Sequence, residues 1–143
     1  MSTIKECADF ANANKTAYLA TTEGDQPRVR ALGMWYADET GFYFQAQSVK
    51  AMIKQLEKNP KVEASFTDGK KVLRVAGTVR FITDRAVRER CIKERPFVKN
   101  FGIEDPDNPL LSVFQIYKGE AFFWTFADSM KEASLPRIKF SGK

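Results

Sequence analysis

The chain has no histidine and only two cysteines in 143 residues. Without histidine, Ser-His-Asp and Cys-His catalysis cannot be assembled within it. With only two soft ligands left, a zinc site is disfavoured. Cys7 and Cys91 form no Cys-x-x-Cys pair and read as two reduced thiols on helices. No apolar run approaches the ~20 residues of a membrane span. The opening MSTIKECADFANANK carries Lys5, Glu6 and Asp9 and no apolar signal core. The expectation is a cytoplasmic protein with no membrane partner. If it is an enzyme, a bound cofactor carries the hard chemistry.

The composition is 43% hydrophobic and 13% aromatic, which suits a packed core. The expectation is a single domain over residues 1–143, with a polar, basic tail over 128–143. The net charge is +5. This balance permits nucleic acid or phosphorylated small molecules as partners. The densest basic stretch, 80–99, holds Arg80, Arg85, Arg88, Arg90, Lys93, Arg95 and Lys99. Asp84, Glu89 and Glu94 are interleaved there, allowing pairs such as Glu89–Lys93 and Arg90–Glu94. It reads as a solvated helix face. With no RNA-binding signature or zinc-finger spacing, no nucleic-acid partner is expected.

Periodicity and turn chemistry give a helix over 3–14 and a strand over 16–22. A hairpin turn at 23–26 leads to a returning strand over 27–34, then a turn at 37–41 and a strand over 42–45. A helix over 49–58 ends at Asn59-Pro60. Strands follow over 62–66 and 72–82, joined by Asp68-Gly69. Gly77, inside the second, suggests a bulge, a bend or a close backbone approach. Asp84 can cap a helix running to Arg95. Residues 100–110 read as loop, and 111–117 with 119–126 as a last hairpin turning at Lys118-Gly119. Strands joined mostly by tight turns, with few helices between them, favour an antiparallel barrel with peripheral helices.

Two stretches carry candidate chemistry. In FYFQAQSVKAMIKQLEKNP, Val49, Met52, Ile53 and Leu56 make one apolar face, and Ser48 sits where an N-cap belongs. Lys50 then lies at the positive end of the helix dipole, where acids are preferred. Free N–H groups, a capping hydroxyl and a lysine suit a phosphate; on this segment alone, a lysine pointing into water is the simpler reading. In PRVRALGM, Arg28 and Arg30 share a strand face roughly 7 Å apart and repel unless paired. Exposure to water resolves this; so does a shared anion.

The runs Leu19-Ala20-Thr21-Thr22, Gln26-Pro27-Arg28-Val29-Arg30, Phe42-Tyr43-Phe44, Ser48-Val49-Lys50-Ala51, Asn59-Pro60-Lys61-Val62, Arg74-Val75-Ala76-Gly77 and Phe122-Phe123-Trp124 extend over nearly the whole chain. In this order they resemble the pyridoxamine 5′-phosphate oxidase-like, FMN-binding split-barrel superfamily, most of all its small general-stress and nitroimidazole-reductase-related members. The resemblance implies a mostly β fold with peripheral helices, a six-stranded antiparallel split β-barrel. It implies a homodimer with FMN at the interface and an oxidoreductase acting on a small-molecule substrate, with NAD(P)H a candidate donor. Arg28, Val29 and Arg30 would line the flavin and its phosphate. Tyr43, Phe44 and Gln45 would add backbone and side-chain contacts, and Ser48 and Lys50 would hold the phosphate. Trp124 matches a tryptophan near the flavin, and reads equally well as an interface or core ring.

The departures are specific. True pyridoxamine phosphate oxidases carry Arg-x-His after that tryptophan, where this chain has Thr125-Phe126-Ala127-Asp128-Ser129. They have Arg-Lys at Val49-Lys50, and a glutamine from the partner near Lys71 or Val72. Vitamin B6 oxidation is therefore not expected. The alternatives are a flavin-binding or stress-related module without turnover, and a related enzyme using deazaflavin F420. Haem is disfavoured by the lack of histidine.

Overall fold

The structure, a computed structural model, describes residues 2–143. Helix α1 (Ile4–Ala13) starts where the Thr3 hydroxyl oxygen accepts from the Glu6 N–H at 3.2 Å. Its Cys7, Ala8 and Ala11 are buried, with Ile4 and Phe10 packed beside them. Strands β1 (Thr16–Glu23) and β2 (Gln26–Gly33) form the expected hairpin, in register from Thr16–Gly33 to Glu23–Gln26. A short strand β3 (Tyr36–Asp38) occupies part of the expected turn and pairs with β4 (Gly41–Gln47). Helix α2 (Ala51–Lys58), β5 (Lys61–Thr67) and β6 (Lys71–Phe81) follow. Then come α3 (Arg85–Glu94), β7 (Leu111–Thr125) and β8 (Ile138–Ser141). Asp84 caps α3 as expected, accepting from the Val87 N–H at 3.2 Å.

All pairing is antiparallel in one sheet of eight strands, ordered β2-β1-β5-β6-β7-β4-β3, with β8 beside β7. The sheet is not closed, because β2 and β3 end the order unpaired to each other. This is the split-barrel architecture, with eight strands in place of six. The inward residues of β1, β4, β5, β6 and β7 meet in one core, including Leu19, Phe42, Phe44, Phe66, Leu73, Val75 and Phe114. A second, smaller core under α3 holds Trp35, Tyr43, Cys91, Ile92, Val98 and Ile103. Each fully buried large apolar side chain contributes roughly 1.5–3 kcal/mol of transfer free energy.

Three sequence expectations are corrected. The last hairpin does not exist: 111–125 is one strand, pairing with β6 along its length. Gly119 does not turn the chain but lies opposite Gly77, where the two backbones approach closely. A Cβ on Gly77 would collide with the Lys118 carbonyl, and one on Gly119 with the Ala76 carbonyl. Second, Ser48 is not the cap of α2; Lys50 is the N-cap residue, with no side-chain capping bond. The Lys50 N–H donates to the Gln47 carbonyl at 3.1 Å, so a turn over 47–50 delays the helix. Third, Val49 stands before the helix and is exposed, while Gln55 takes a place on the buried side. Part of the polar tail is ordered as β8, whose Phe140 enters the main core. The bulge expected near Gly77 is present: the β6–β7 register shifts between Thr78 and Val79.

The glycine pairing yields a stability prediction. Gly77→Ala should lower the free energy of unfolding by about 1–3 kcal/mol, because backbone must shift to admit one methyl group. Gly33→Ala, whose Cβ would meet nothing nearer than 4.0 Å, should cost far less. Urea midpoints at unchanged m-value report the difference.

Candidate functional site

β2 and β4 lie towards opposite ends of the strand order, and a cleft of about 580 Å³ lies in the seam between them. Its walls are β2 from Arg30 to Gly33, β4 from Gln45 to Gln47, the chain from Lys50 to Met52, and Arg95, Phe97 and Phe101 after α3. Three cations line it: Arg30, Lys50 and Arg95. No aspartate or glutamate does so among the described residues. Unpartnered like charges in a partly desolvated cleft repel one another, so the arrangement is suited to an anion.

Arg30 is fixed from behind. Its Nη1 donates to the Thr21 hydroxyl oxygen at 2.7 Å and its Nη2 to Gln55 Oε1 at 2.8 Å. Burial, and secondarily the neighbouring Arg28, push its pKa below the ordinary arginine value. Arg95 spans the seam. Its Nε donates to Gln45 Oε1 at 3.2 Å, and its Nη1 to the Met34 carbonyl at 3.2 Å. Burial lowers its pKa as well, and its guanidinium lies 4.9 Å from the Phe97 ring centroid. Both arginines remain cationic near neutrality, and both make these bonds to neutral oxygens.

The structure brings Arg30, Gln45 and Lys50 together in the cleft. The remaining sequence candidates do not line it within one chain. Arg28 pairs with Glu23 at 2.9 Å in an exposed hairpin. Val29 faces outward and is exposed. Tyr43 is buried against Tyr36, their rings stacked at 4.4 Å, and Phe44 is stacked on Phe114 in the main core. Ser48 is half-buried, its N–H donating to the Leu110 carbonyl at 2.9 Å. Trp124 lies opposite Val72, far along β7 from the Leu111–Gln47 pair that abuts the cleft.

Arg95 was missed as a site residue because its stretch reads as a solvated helix face. The helix stops at Glu94, and Pro96 starts a 3-10 turn that swings Arg95 across the seam. Arg88 also turns inward, to the Pro106 carbonyl at 2.7 Å. Arg90–Glu94 forms as expected at 3.5 Å, but no Glu89–Lys93 pair does among the described residues. The one available signal was Arg-Pro at a helix end, which sets the backbone turn but not the direction of the side chain. A wider groove of about 860 Å³ crosses β5 to β8 away from these residues. Its lysines, Lys61, Lys118 and Lys139, are exposed, and Glu120 stands among them; it lacks the fixed, half-buried cations of the seam.

The sequence profile of the pyridoxamine 5′-phosphate oxidase family matches residues 3–125. The chain belongs to this family. Among solved structures it is similar to a NimC/NimA family protein from Clostridium acetobutylicum, at 29% identity over 96% of this chain and 93% of that one, with a TM-score of 0.78. A second protein from that organism, related to general stress protein 26 of B. subtilis, is 20% identical over 95% and 92% of the two chains, with a TM-score of 0.68. An FAD-binding protein from Mesorhizobium loti is 20% identical over 82% and 91%, with a TM-score of 0.66. Comparison with curated proteins gives no match. No helix among the described residues is long and apolar enough to cross a membrane.

The two thiols are not part of the site. Burial pushes both Cys7 and Cys91 up to about 11. At pH 8 only about one thiol in a thousand is then ionised. Neither should react with a thiol reagent in the native protein at pH 8, and both should react in denaturant. Because the folded values are raised, their stabilising contribution is complete below pH 9 and is lost as pH rises towards 11.

Proposed function

We propose that the seam cleft binds FMN and that the protein is an FMN-dependent oxidoreductase acting on a small molecule. The observation that carries this reading is the set of three cations, two of them fixed, in a cleft without a carboxylate. These residues fit a phosphorylated ligand. Arg30 and Lys50 would hold the phosphate by charge-assisted hydrogen bonds. Gln45 offers an amide to the ring system, and Arg95 with Phe97 leaves a cationic, aromatic wall towards substrate. Family membership supports a flavin, as does the FAD-binding protein among the similar structures. Bound flavin supplies hydride exchange at N5; the chain's residues bind, orient and shield.

A second reading, a flavin-binding module without turnover, is favoured by one fact. No side chain lining the cleft is an acid or a histidine that could move a proton near neutrality.

Lys50→Ala should weaken FMN binding by roughly 1.5–3 kcal/mol, about tenfold or more, without lowering stability. Riboflavin, lacking the phosphate, should bind both proteins alike. Flavin fluorescence titration measures both. Equal FMN affinity in parent and variant would make Lys50 only a solvated lysine. Anaerobic bleaching of the flavin by NAD(P)H supports the enzyme; a flavin inert to all donors supports the module.

We further propose a homodimer with the cofactor at its interface. Tyr18 pairs with Ala31 and Ala20 with Val29, making an apolar patch on the outer face of β1 and β2. Val29 is 69% exposed and Tyr18 47%. Trp124 is also left half-buried in the single chain. Light scattering at micromolar concentration should give twice the chain mass for the parent and the chain mass for Val29→Asp. A monomeric parent would count against a shared cleft.

A further inference from the structure

Two buried polar side chains outside the cleft lining share one hydrogen-bond system with it. Thr21 is 2% exposed and Gln55 6%. The Thr21 hydroxyl donates to Gln55 Oε1 at 2.6 Å, while Arg30 donates to both oxygens. The direction of every bond is determined. Arginine can only donate, so the Thr21 oxygen must accept from it and turn its own proton to Gln55. The Gln55 carbonyl oxygen must then face both donors, with its amide nitrogen pointing away.

The chemistry of these partners sets Arg30, like Arg95 across the cleft, apart from the arginines held by carboxylates. Arg28 is held by Glu23, Arg74 by Glu63 and Glu132, and Arg85 by Asp105 and Asp107. A carboxylate fixes a guanidinium but cancels its charge. A hydroxyl and an amide fix it and leave the charge whole. Burial of a glutamine on the packed side of α2 is otherwise unfavourable, since an apolar residue would pack there without needing partners.

We propose that Thr21 and Gln55 are positioning residues: they aim the Arg30 guanidinium into the seam cleft and keep its charge available to an anionic ligand. This rests on the phosphate-binding reading of the cleft. Neither residue need touch the ligand. Gln55→Glu is nearly isosteric, should keep the clamp geometry, and places a carboxylate on Arg30. Thr21→Val removes one acceptor while keeping the shape, so Arg30 is held less firmly.

The test compares FMN and riboflavin affinities of parent, Gln55→Glu and Thr21→Val, at low and moderate salt, with a melting curve for each. Gln55→Glu should lose about tenfold or more in FMN affinity at low salt, and keep riboflavin affinity within about twofold. Its FMN affinity should also respond less to salt than the parent's, because one cation is already neutralised. Thr21→Val should show a smaller loss of the same selectivity, and keeps the question open to test should Gln55→Glu not fold. If a folded variant retains the parent's preference for FMN, the inference fails while the phosphate site stands. Equal loss of both ligands would reduce Thr21 and Gln55 to structural residues and also overturn it. A parent with no preference for FMN over riboflavin would overturn the reading of the cleft and this inference together.

Discussion

The site depends on one sheet curling until strands from opposite ends of its order face each other without pairing. A ladder across β2 and β4 would fill the seam with backbone hydrogen bonds. The open seam leaves a cleft, and Arg95 bridges it, tying Gln45 on one side to the Met34 carbonyl on the other. In the middle of the same sheet β6 and β7 approach where a side chain would collide, and Gly77 opposite Gly119 permits this.

Electrostatics distinguishes two sets of arginines. Arg28, Arg74 and Arg85, on the outside, meet carboxylates and contribute little, as exposed ion pairs generally do. Those in the seam meet hydroxyl, amide and carbonyl oxygens, and stay charged in a partly desolvated setting. The protein bears the repulsion between them in the empty state. A ligand carrying negative charge would remove it, so affinity would be gained where the free protein is least comfortable.

Much of the fold was legible in the sequence because alternation and turn chemistry are local. The β1–β2 hairpin, the Asp68-Gly69 turn and the Asp84 cap needed only neighbours to be read correctly. Lys118-Gly119 misled for the same reason. A glycine after a polar residue looks like a turn, and only the opposing Gly77 shows that it serves a close approach between strands. Within the candidate site, Arg30, Gln45 and Lys50 stand in two short stretches, although the curl of the sheet and not a hairpin brings those stretches together. Arg95 could not be found locally, since its partners are 50 and 61 residues away. Gln55 was invisible for another reason: a polar residue in an amphipathic helix is assigned to water unless its buried partner is known. Thr21 stood in a quoted motif, but nothing local showed that its hydroxyl faces an arginine.

Strand β7 links the two cores in a way that bears on how the chain folds. Leu111 and Val113 belong to the core under α3, while Phe114 and Ile116 belong to the main one. Consecutive residues of one strand are therefore shared between two clusters, and neither cluster is complete until β7 is in place. Its partners β4 and β6 lie well upstream, so their pairing requires long chain closures before any contact is gained. Such a chain should consolidate late and as one cooperative unit, with no half that persists alone. During synthesis the sheet that carries the seam would stay incomplete until β7 had emerged.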